Sequence, residues 1–138
     1  MNLLYAGFLI LGISCSSGPR ERQHLEAAGA LGPYSAAVIS GEFCFVSGKI
    51  GTAEARGGTF EGEVESAITA VLQELQRAGL QLSDVVATTV YLTDMGLYQR
   101  LNEVYAQRFP RPYPARVCVG VAALPGDARV EIQVTAAF

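Results

Sequence analysis

Two charged side chains in the last quarter of the sequence, Arg116 and Glu131, each lie in a run where apolar and polar residues alternate. Alternation with a period of two is typical of half-buried β-strands, in which every second side chain reaches the same face. The aliphatic face of the two runs consists of Val117, Val119, Val121, Val130, Ile132 and Val134. The polar side of the sheet then carries a guanidinium, which can hold a carboxylate with two parallel N–H bonds, and a glutamate, which can take a proton from water. The pair predicts a site that binds a small carboxylate and activates water.

Composition limits the classes of protein to which this chain can belong. Its 138 residues, half of them hydrophobic and 17% charged, suffice for one folded domain with a core that needs no metal or disulfide. A formal charge of −3 gives no excess of the positive charge that nucleic-acid-binding domains typically carry, so we expect no nucleic-acid partner. Three cysteines without a CxxC pair and a single histidine, His24, predict no zinc site.

The first 19 residues differ from the rest because they contain no charged side chain. An apolar run from Leu3 to Ile13 is too short to span a bilayer but has the length of a signal-peptide core. Small residues lead from this run into Cys15, as at a bacterial lipoprotein processing site. We therefore predict that residues 1–14 are a signal peptide and that Cys15 is lipidated and tethers an exported cell-envelope protein to a membrane. The alternative is a cytoplasmic protein with an N-terminal extension.

Periodicity predicts the elements that must position Arg116 and Glu131. Residues 15–30 are predicted to be a linker, and residues 35–40 and 43–47 to be strands. Helical spacing of apolar residues predicts helices over 64–78 and, after an Asp94 N-cap, up to residue 109, with a strand over 85–93 between them. The order β-β-α-β-α-β-β predicts an α+β sandwich of two layers, with a mixed sheet and two helices on one face. The uncovered face must be polar or meet another subunit, so we expect an oligomer built face to face.

A set of short motifs, in this order along the chain, is similar to one known family. The motifs are Gly32-Pro33-Tyr34, Val46-Ser47-Gly48, Ala78-Gly79-Leu80, Val90-Tyr91-Leu92-Thr93-Asp94, Asn102-Glu103-Val104-Tyr105, Pro114-Ala115-Arg116, Val121-Ala122-Ala123-Leu124-Pro125 and Val130-Glu131-Ile132. Together they resemble the Rid (YjgF) family of reactive-intermediate imine deaminases, from about residue 31 to residue 136. The resemblance implies a domain over 31–138 with a chorismate-mutase-like fold, assembled as a homotrimer with three clefts between subunits.

The resemblance also implies an activity and a set of site residues. Family members hydrolyse 2-imino acids, of the 2-iminopropanoate and 2-iminobutanoate type, to 2-keto acids and ammonia, without a cofactor or a metal. By position, Arg116 would clamp the substrate carboxylate and Glu131 would orient or deprotonate the attacking water. The backbone at Cys118 would help to fix the imino acid. The remaining positions that match the family's cleft are Tyr34, Ser47 and Asn102.

Several positions depart from the family pattern and leave alternatives open. Deaminases of this family often have glutamate at the position of Gly120, arginine at that of Ala123, a second glutamate at that of Gln133 and glutamine at that of Lys49. These departures bear on substrate preference. A non-catalytic module that binds a small carboxylate or a partner protein is the alternative function. The structural alternatives are that Arg116 pairs with Glu131 or with a neighbouring subunit, and that Glu131 is a solvated strand carboxylate.

Overall fold

The fold is built around one mixed β-sheet that carries helices on one of its faces. The computed structural model of the protein describes residues 21–29 and 32–138. In chain order its elements are β1 (Gln23–Glu26), β2 (Ser35–Ser40), β3 (Phe43–Ile50), α1 (Ala53–Arg56), α2 (Phe60–Arg77), β4 (Val85–Leu92), α3 (Tyr98–Arg108), β5 (Ala115–Gly120) and β6 (Val130–Ala137). The strands lie in the order β1-β2-β3-β6-β4-β5. Only the β4–β5 pair is parallel among these six strands. The predicted α+β fold with a mixed sheet is therefore confirmed.

The helix α2 forms most of the second layer. Its N-cap is Thr59, whose hydroxyl accepts a hydrogen bond from the Gly62 amide at 3.1 Å, and acidic residues in its first turn favour the positive end of the helix dipole. Its apolar stripe is fully buried against β3 and β6. The helix ends before Gly79, whose φ of +80° is the left-handed conformation that glycine adopts without strain. The predicted helix is confirmed and begins at Phe60, four residues before its predicted start at residue 64.

The second long helix, α3, crosses the sheet beside α2. Asp94 accepts a hydrogen bond from the Gly96 amide at 2.8 Å and caps a short 3₁₀ turn, which runs directly into α3. Arg100 of α3 forms a bidentate ion pair with Glu61 of α2, with N–O distances of 2.6 and 2.8 Å. A second ion pair joins Arg108, at the end of α3, to Glu65, one turn further along α2. Both pairs tie α3 to the first half of α2.

One strand lies in a segment that the sequence pattern does not identify. The linker predicted over 15–30 contains β1, which pairs antiparallel with β2, so the sheet begins before residue 31. The strand is four residues long, and Leu25 is its only buried residue, so it shows no alternation that periodicity could detect. The predicted signal peptide, residues 1–14, and Cys15 lie outside the described residues. Within the described residues, no helix combines the length and the apolar character needed to cross a membrane.

The register of the sheet places Arg116 and Glu131 on opposite faces. Arg116 pairs with Thr88, which is buried beneath α3, whereas Glu131 pairs with Tyr91 on the face without helices. The prediction that the two charges share a polar face is therefore wrong. The physical reason is that β6 buries its aliphatic residues under the helices, while β5 points its valines away from them: Val117 is 54% exposed.

Candidate active site

The Arg116 guanidinium lies under α3 and is held by uncharged groups. Its Nη2 donates hydrogen bonds to Asn102 Oδ1 at 2.6 Å and to the Tyr98 hydroxyl at 3.2 Å. Its Cζ lies 4.6 Å from the centre of the Tyr105 ring, a cation–π distance. Among the described residues no carboxylate pairs with Arg116, and its Nε and Nη1 donate no hydrogen bond. The guanidinium is thus oriented and half-buried, with two nitrogens available to a ligand.

A hollow of about 330 Å³ opens beside this guanidinium. Tyr105 forms its floor and is held by a hydrogen bond of 3.0 Å with the Thr88 hydroxyl and by stacking on Phe109, with the ring centres 4.1 Å apart. Burial raises the pKa of the Tyr105 phenol, so this group stays neutral. The lining residues are Asn102, Tyr105, Ala106, Tyr113, Pro114 and Arg116. We call this space the arginine hollow.

Glu131 lies on the open face of the sheet, directly against the backbone of Gly48. A Cβ placed on Gly48 would come within 1.8 Å of Glu131 Oε1, so any other residue would displace the carboxylate. The space arises from an irregularity in the β3–β6 pairing between Val46 and Lys49. Burial raises the pKa of Glu131, and no described residue forms an ion pair or a side-chain hydrogen bond with its carboxylate. A carboxylate of this kind is poised for proton transfer.

A second hollow, of about 220 Å³, opens beside Glu131. Its lining residues are Tyr34, Ser47, Gly48, Ile50, Pro125 and Glu131, and we call it the glutamate hollow. The Ser47 hydroxyl donates a hydrogen bond to the Ser35 carbonyl at 2.7 Å. This bond orients the Ser47 side chain and ties β3 to the first residue of β2. Tyr34 is half exposed at the rim. Of the residues singled out by sequence, the structure thus brings Tyr34 and Ser47 to Glu131, and Asn102 to Arg116.

Cys118 lies on the same face as Arg116 but lines neither hollow. It is partly buried and packs against the core beneath the helices. Desolvation raises the pKa of its thiol, against a smaller opposing effect of Arg116. The side chain is therefore a neutral packing group here, and the ligand contact that the resemblance implies for the Cys118 backbone stays a prediction.

The sequence analysis assigns no role in the site to three of its residues. Tyr98 and Tyr105 lie four positions before and three positions after Asn102, the spacing of one helix face, and this signal could have found them. Gly48 carries no such signal, because its role depends on a close approach between strands that are distant in sequence. Helix periodicity could therefore have identified the two tyrosines, whereas the role of Gly48 is seen only in the folded chain.

A buried carboxylate supports the strand that carries Glu131. Glu63 of α2 is fully buried and accepts hydrogen bonds from the backbone amide and Nε of Arg129, at 2.7 and 2.6 Å. The Arg129 guanidinium also donates to the Gly58 carbonyl at 3.0 Å. Because Arg129 lies two residues before Glu131, this cluster fixes the start of β6 and the loop after β3. Within the ranges 21–29 and 32–138, no group of three or more His, Cys, Asp or Glu side chains could hold a metal ion.

Comparison with known proteins identifies relatives over nearly the whole described chain. The family model described as Endoribonuclease L-PSP matches residues 24–138. A RutC family protein of Pyrococcus horikoshii is 40% identical over 77% of this chain and 87% of its own length. Reactive Intermediate Deaminase A, chloroplastic, of Arabidopsis thaliana is 39% identical over 91% of this chain and 70% of its own length. The human 2-iminobutanoate/2-iminopropanoate deaminase is 38% identical over 80% and 84%.

Solved structures give the same relationship. RidA from the Antarctic bacterium Psychrobacter sp. PAMC 21119 superposes with a TM-score of 0.78 at 36% identity, covering 84% of this chain and 99% of that one. Escherichia coli TdcF with bound serine gives a TM-score of 0.76 at 32% identity, covering 84% and 98%. The chain therefore shares both fold and sequence with proteins of this kind.

The comparisons correct one prediction, the signal peptide and lipoprotein assigned to residues 1–14 and Cys15. These relatives are named as deaminases or RutC family proteins, one of them chloroplastic, and none as a lipoprotein. The apolar run from Leu3 to Ile13 also has no lysine or arginine ahead of it, the charge that leads a secretory signal. That assignment is wrong.

Proposed function

Because the chain belongs to the Rid (YjgF) family, we propose that it hydrolyses small 2-imino acids to 2-keto acids and ammonia. The observation that carries the proposal is the Arg116 guanidinium, which lines the arginine hollow, is oriented by neutral partners and pairs with no described carboxylate. Such a group binds a carboxylate through charge-assisted hydrogen bonds. The names of the Arabidopsis and human relatives, and the serine bound to TdcF, support a small amino-acid-like ligand.

The active site in this proposal is shared between two copies of the chain. Arg116 and Glu131 lie on opposite faces of one sheet, so a single chain cannot bring both to one substrate. The open face exposes large apolar side chains, including Phe45 at 46% and Val117 at 54%, and a second copy would remove them from water. We therefore place the arginine hollow of one copy against the glutamate hollow of the next. Three such contacts close a homotrimer with three clefts.

The reaction requires a bound imine and an oriented water molecule. Arg116 holds the carboxylate, and Glu131 takes a proton from water as the water oxygen bonds to C2 of the protonated imine. The C=N double bond becomes a single bond, and its electron pair moves to nitrogen to give a carbinolamine. Transfer of a proton to that nitrogen breaks the C–N bond, releases ammonia and forms the keto C=O as the hydroxyl loses its proton. A positioned base of this kind contributes about 10²–10⁴-fold in rate.

The test is release of keto acid and ammonia from imines that an amino-acid oxidase generates in the assay. Arg116→Lys keeps the charge and loses the planar fork, so kcat/KM should fall about 10- to 100-fold, the scale of one charge-assisted hydrogen bond. Arg100→Lys is the matched control, because this exposed arginine of α3 pairs with Glu61 away from both hollows. Absence of any rate above the uncatalysed reaction, in wild type and Arg116→Ala alike, would contradict the proposal.

The second candidate function is a module that binds a small carboxylate without turnover. The bound serine in TdcF favours it, since that structure holds an amino acid rather than an imine. Titration with 2-oxobutanoate separates the two functions. Binding that Arg116→Ala abolishes, in a protein that hydrolyses no imine, identifies a binding module.

A further inference from the structure

We infer that Lys49 is a positioning residue for Glu131, although the two side chains lie on opposite faces of the sheet. The ion pair between Lys49 and Glu74 of α2 holds the irregularity in β3 that makes room for the Glu131 carboxylate. The inference rests on the proposed function and deepens it, because Glu131 is the group that activates water there. It gives a role to a residue that lines neither hollow.

The irregularity is a bulge of one residue in β3. Regular pairing with β6 extends to Val46 and resumes at Lys49, which lies opposite Ile132. Over this interval β3 takes three steps along the chain, from residue 46 to 49, whereas β6 takes two, from residue 134 to 132. An extra residue in one strand reverses the faces of the residues that follow it. Lys49 therefore lies on the covered face, opposite a buried isoleucine, and Ile50 turns to the glutamate hollow.

This arrangement opposes the ordinary preferences of both residues. Regular alternation after the buried Val46 would turn Ile50 towards the core and Lys49 towards the open face. The bulge does the reverse, so that the aliphatic side chain leaves the core and the lysine side chain lies beneath α2 with 16% of its surface exposed. Lysine is rarely covered in this way unless it is paired. An interaction on the covered face must therefore compensate for the bulge.

The compensating interaction is the ion pair with Glu74. Lys49 Nζ lies 2.9 Å from Glu74 Oε1, and the side chain of this glutamate is only 14% exposed. Arg77, one turn later in α2, binds Glu74 Oε2 at 2.5 Å and also donates to the Glu26 carbonyl of β1 at 3.1 Å. The carboxylate is thus held in place before Lys49 reaches it. The ion pair requires the bulged register, because a slip by one residue would carry Lys49 to the other face.

The bulge in turn determines the space that Glu131 occupies. Gly48 lies within the bulge, and a Cβ added to it would come within 1.8 Å of Glu131 Oε1. Ile50, on the other side of Lys49, pairs with Glu131 itself. A change in the path of β3 at Lys49 would therefore move the backbone against which the carboxylate packs. A continuous series of contacts connects Glu74 of α2, through this strand, to the proposed base.

The first experiment measures kcat and KM of Lys49→Met with an imine that an oxidase generates. Methionine keeps most of the side-chain length and removes the ammonium, while Arg77 remains as a cation for Glu74, so the variant should fold. We expect kcat to fall at least about tenfold, since a small misplacement of a reacting group has effects of this size. KM should stay within about twofold of wild type, because Arg116 binds the substrate carboxylate. Lys49→Arg keeps the cation and should retain most of the wild-type kcat.

Arg77→Met is the matched control. It removes the other cation from the same carboxylate but alters no residue of β3, and the Arg77 side chain is 44% exposed. We expect its kcat to stay within about threefold of wild type. Equal losses in Arg77→Met and Lys49→Met would show that only the charge around Glu74 matters. That result, or a wild-type kcat in Lys49→Met, overturns the inference.

A double-mutant cycle separates positioning of Glu131 from general damage to the fold. In the Glu131→Gln background, Lys49→Met should change the residual kcat less than about twofold, because a residue that acts through this carboxylate has no further effect once it is gone. General damage would lower the rate in both backgrounds. Equal reductions with and without the Glu131 carboxylate therefore contradict the inference.

Crystal structures of the wild type, Lys49→Met and Arg77→Met separate failure of this inference from failure of the proposed function. We expect Glu131 Oε1 to move by about 1 Å or more in Lys49→Met and to stay in place in Arg77→Met. If it moves but the wild type hydrolyses no imine, the deaminase proposal fails and the positioning role stands. If imines are hydrolysed but the carboxylate and kcat are unchanged in Lys49→Met, the positioning role fails and the deaminase proposal stands. An unmoved carboxylate without hydrolysis ends both.

Discussion

The two faces of the sheet prepare their charged residues in different ways. On the covered face, Arg116 is oriented by contacts: an amide, two phenol rings and the packing of α3 hold it in place. On the open face, Glu131 fits because Gly48 has no side chain. The space beside Gly48 holds a carboxylate that bonds to no described side chain. The half-site around Arg116 is thus ordered by contacts within the chain, whereas the half-site around Glu131 is an open space that another copy would close in the proposed trimer.

The largest expected effect comes from mixing variants that each lack one half-site. Arg116→Ala and Glu131→Gln should each lower kcat by about 10²–10⁴-fold, because each removes a group that the reaction needs. Hybrid trimers of the two variants should regain roughly a third of the wild-type rate, since one of the three clefts in every hybrid trimer combines an intact arginine with an intact glutamate. Activity is measured on hybrids purified through two different tags. If the hybrids stay as inactive as their parents, both groups act within one chain.

Loss of the buried carboxylate beneath the open face should mainly affect stability. Glu63→Gln leaves Arg129 without its ionic partner, and breaking a buried pair typically costs about 3–5 kcal/mol. Because the Arg129 side chain remains 34% exposed, we expect the lower end, about 3 kcal/mol in the free energy of unfolding. Urea titration measures the change. Glu103→Gln, at an exposed α3 position, is the control and should shift the midpoint little.

Addition of one methyl group at Gly48 tests whether the space beside this residue is needed to position Glu131. Gly48→Ala forces the Glu131 carboxylate to move, and a displacement of about 1 Å at a reacting group can lower the rate about 10²-fold. The effect should appear in kcat more than in KM, since carboxylate binding resides on the other face. Gly58→Ala, where the nearest atom to an added Cβ is 3.4 Å away, is the matched control. A Gly48→Ala variant with wild-type kcat would show that the position of Glu131 does not matter.

The smallest expected effect is on pH dependence. Because burial raises the pKa of Glu131, the base form is populated only above the ordinary carboxyl range, and kcat/KM should rise with pH through that raised value. For stability the sign is opposite: the folded chain binds this proton more tightly than the unfolded chain, so the residue costs stability as pH rises between the two pKa values. Glu131→Gln should remove the acidic limb of residual activity and flatten this part of the stability profile.

The sequence predicts which segments form the sheet and the helices. It predicts less well which side chains of the edge strand β5 face the helices. Helix periodicity locates α2 and α3 because their stripes are buried on one side only. Alternation in β5 correctly groups Arg116 with Cys118, but it cannot tell which group faces the helices. At this edge the valines turn to the open side and the guanidinium turns inward, since α3 supplies polar and aromatic partners for it. One register step reverses every side chain of a strand.

The residues of the candidate site also differ in whether the sequence identifies them. Asn102, Tyr34 and Ser47 are found from motifs, and the structure brings each of them to one of the two hollows. Gly48 and Glu63 act through contacts with residues far away in the chain, at Glu131 and Arg129, and no local pattern announces such pairs. The short strand β1 is missed for a related reason, because its pairing with β2 rather than its own composition makes it a strand.

The outward orientation of the two hollows has a consequence for how the protein is handled. Each is formed by one folded chain, so dilution would leave circular dichroism and the arginine hollow largely intact, whereas the melting temperature would fall as the proposed assembly dissociates. Turnover would also fall, because in the proposed trimer each cleft forms only while neighbouring copies remain associated. In such a molecule specific activity measured against protein concentration becomes a direct readout of the association constant.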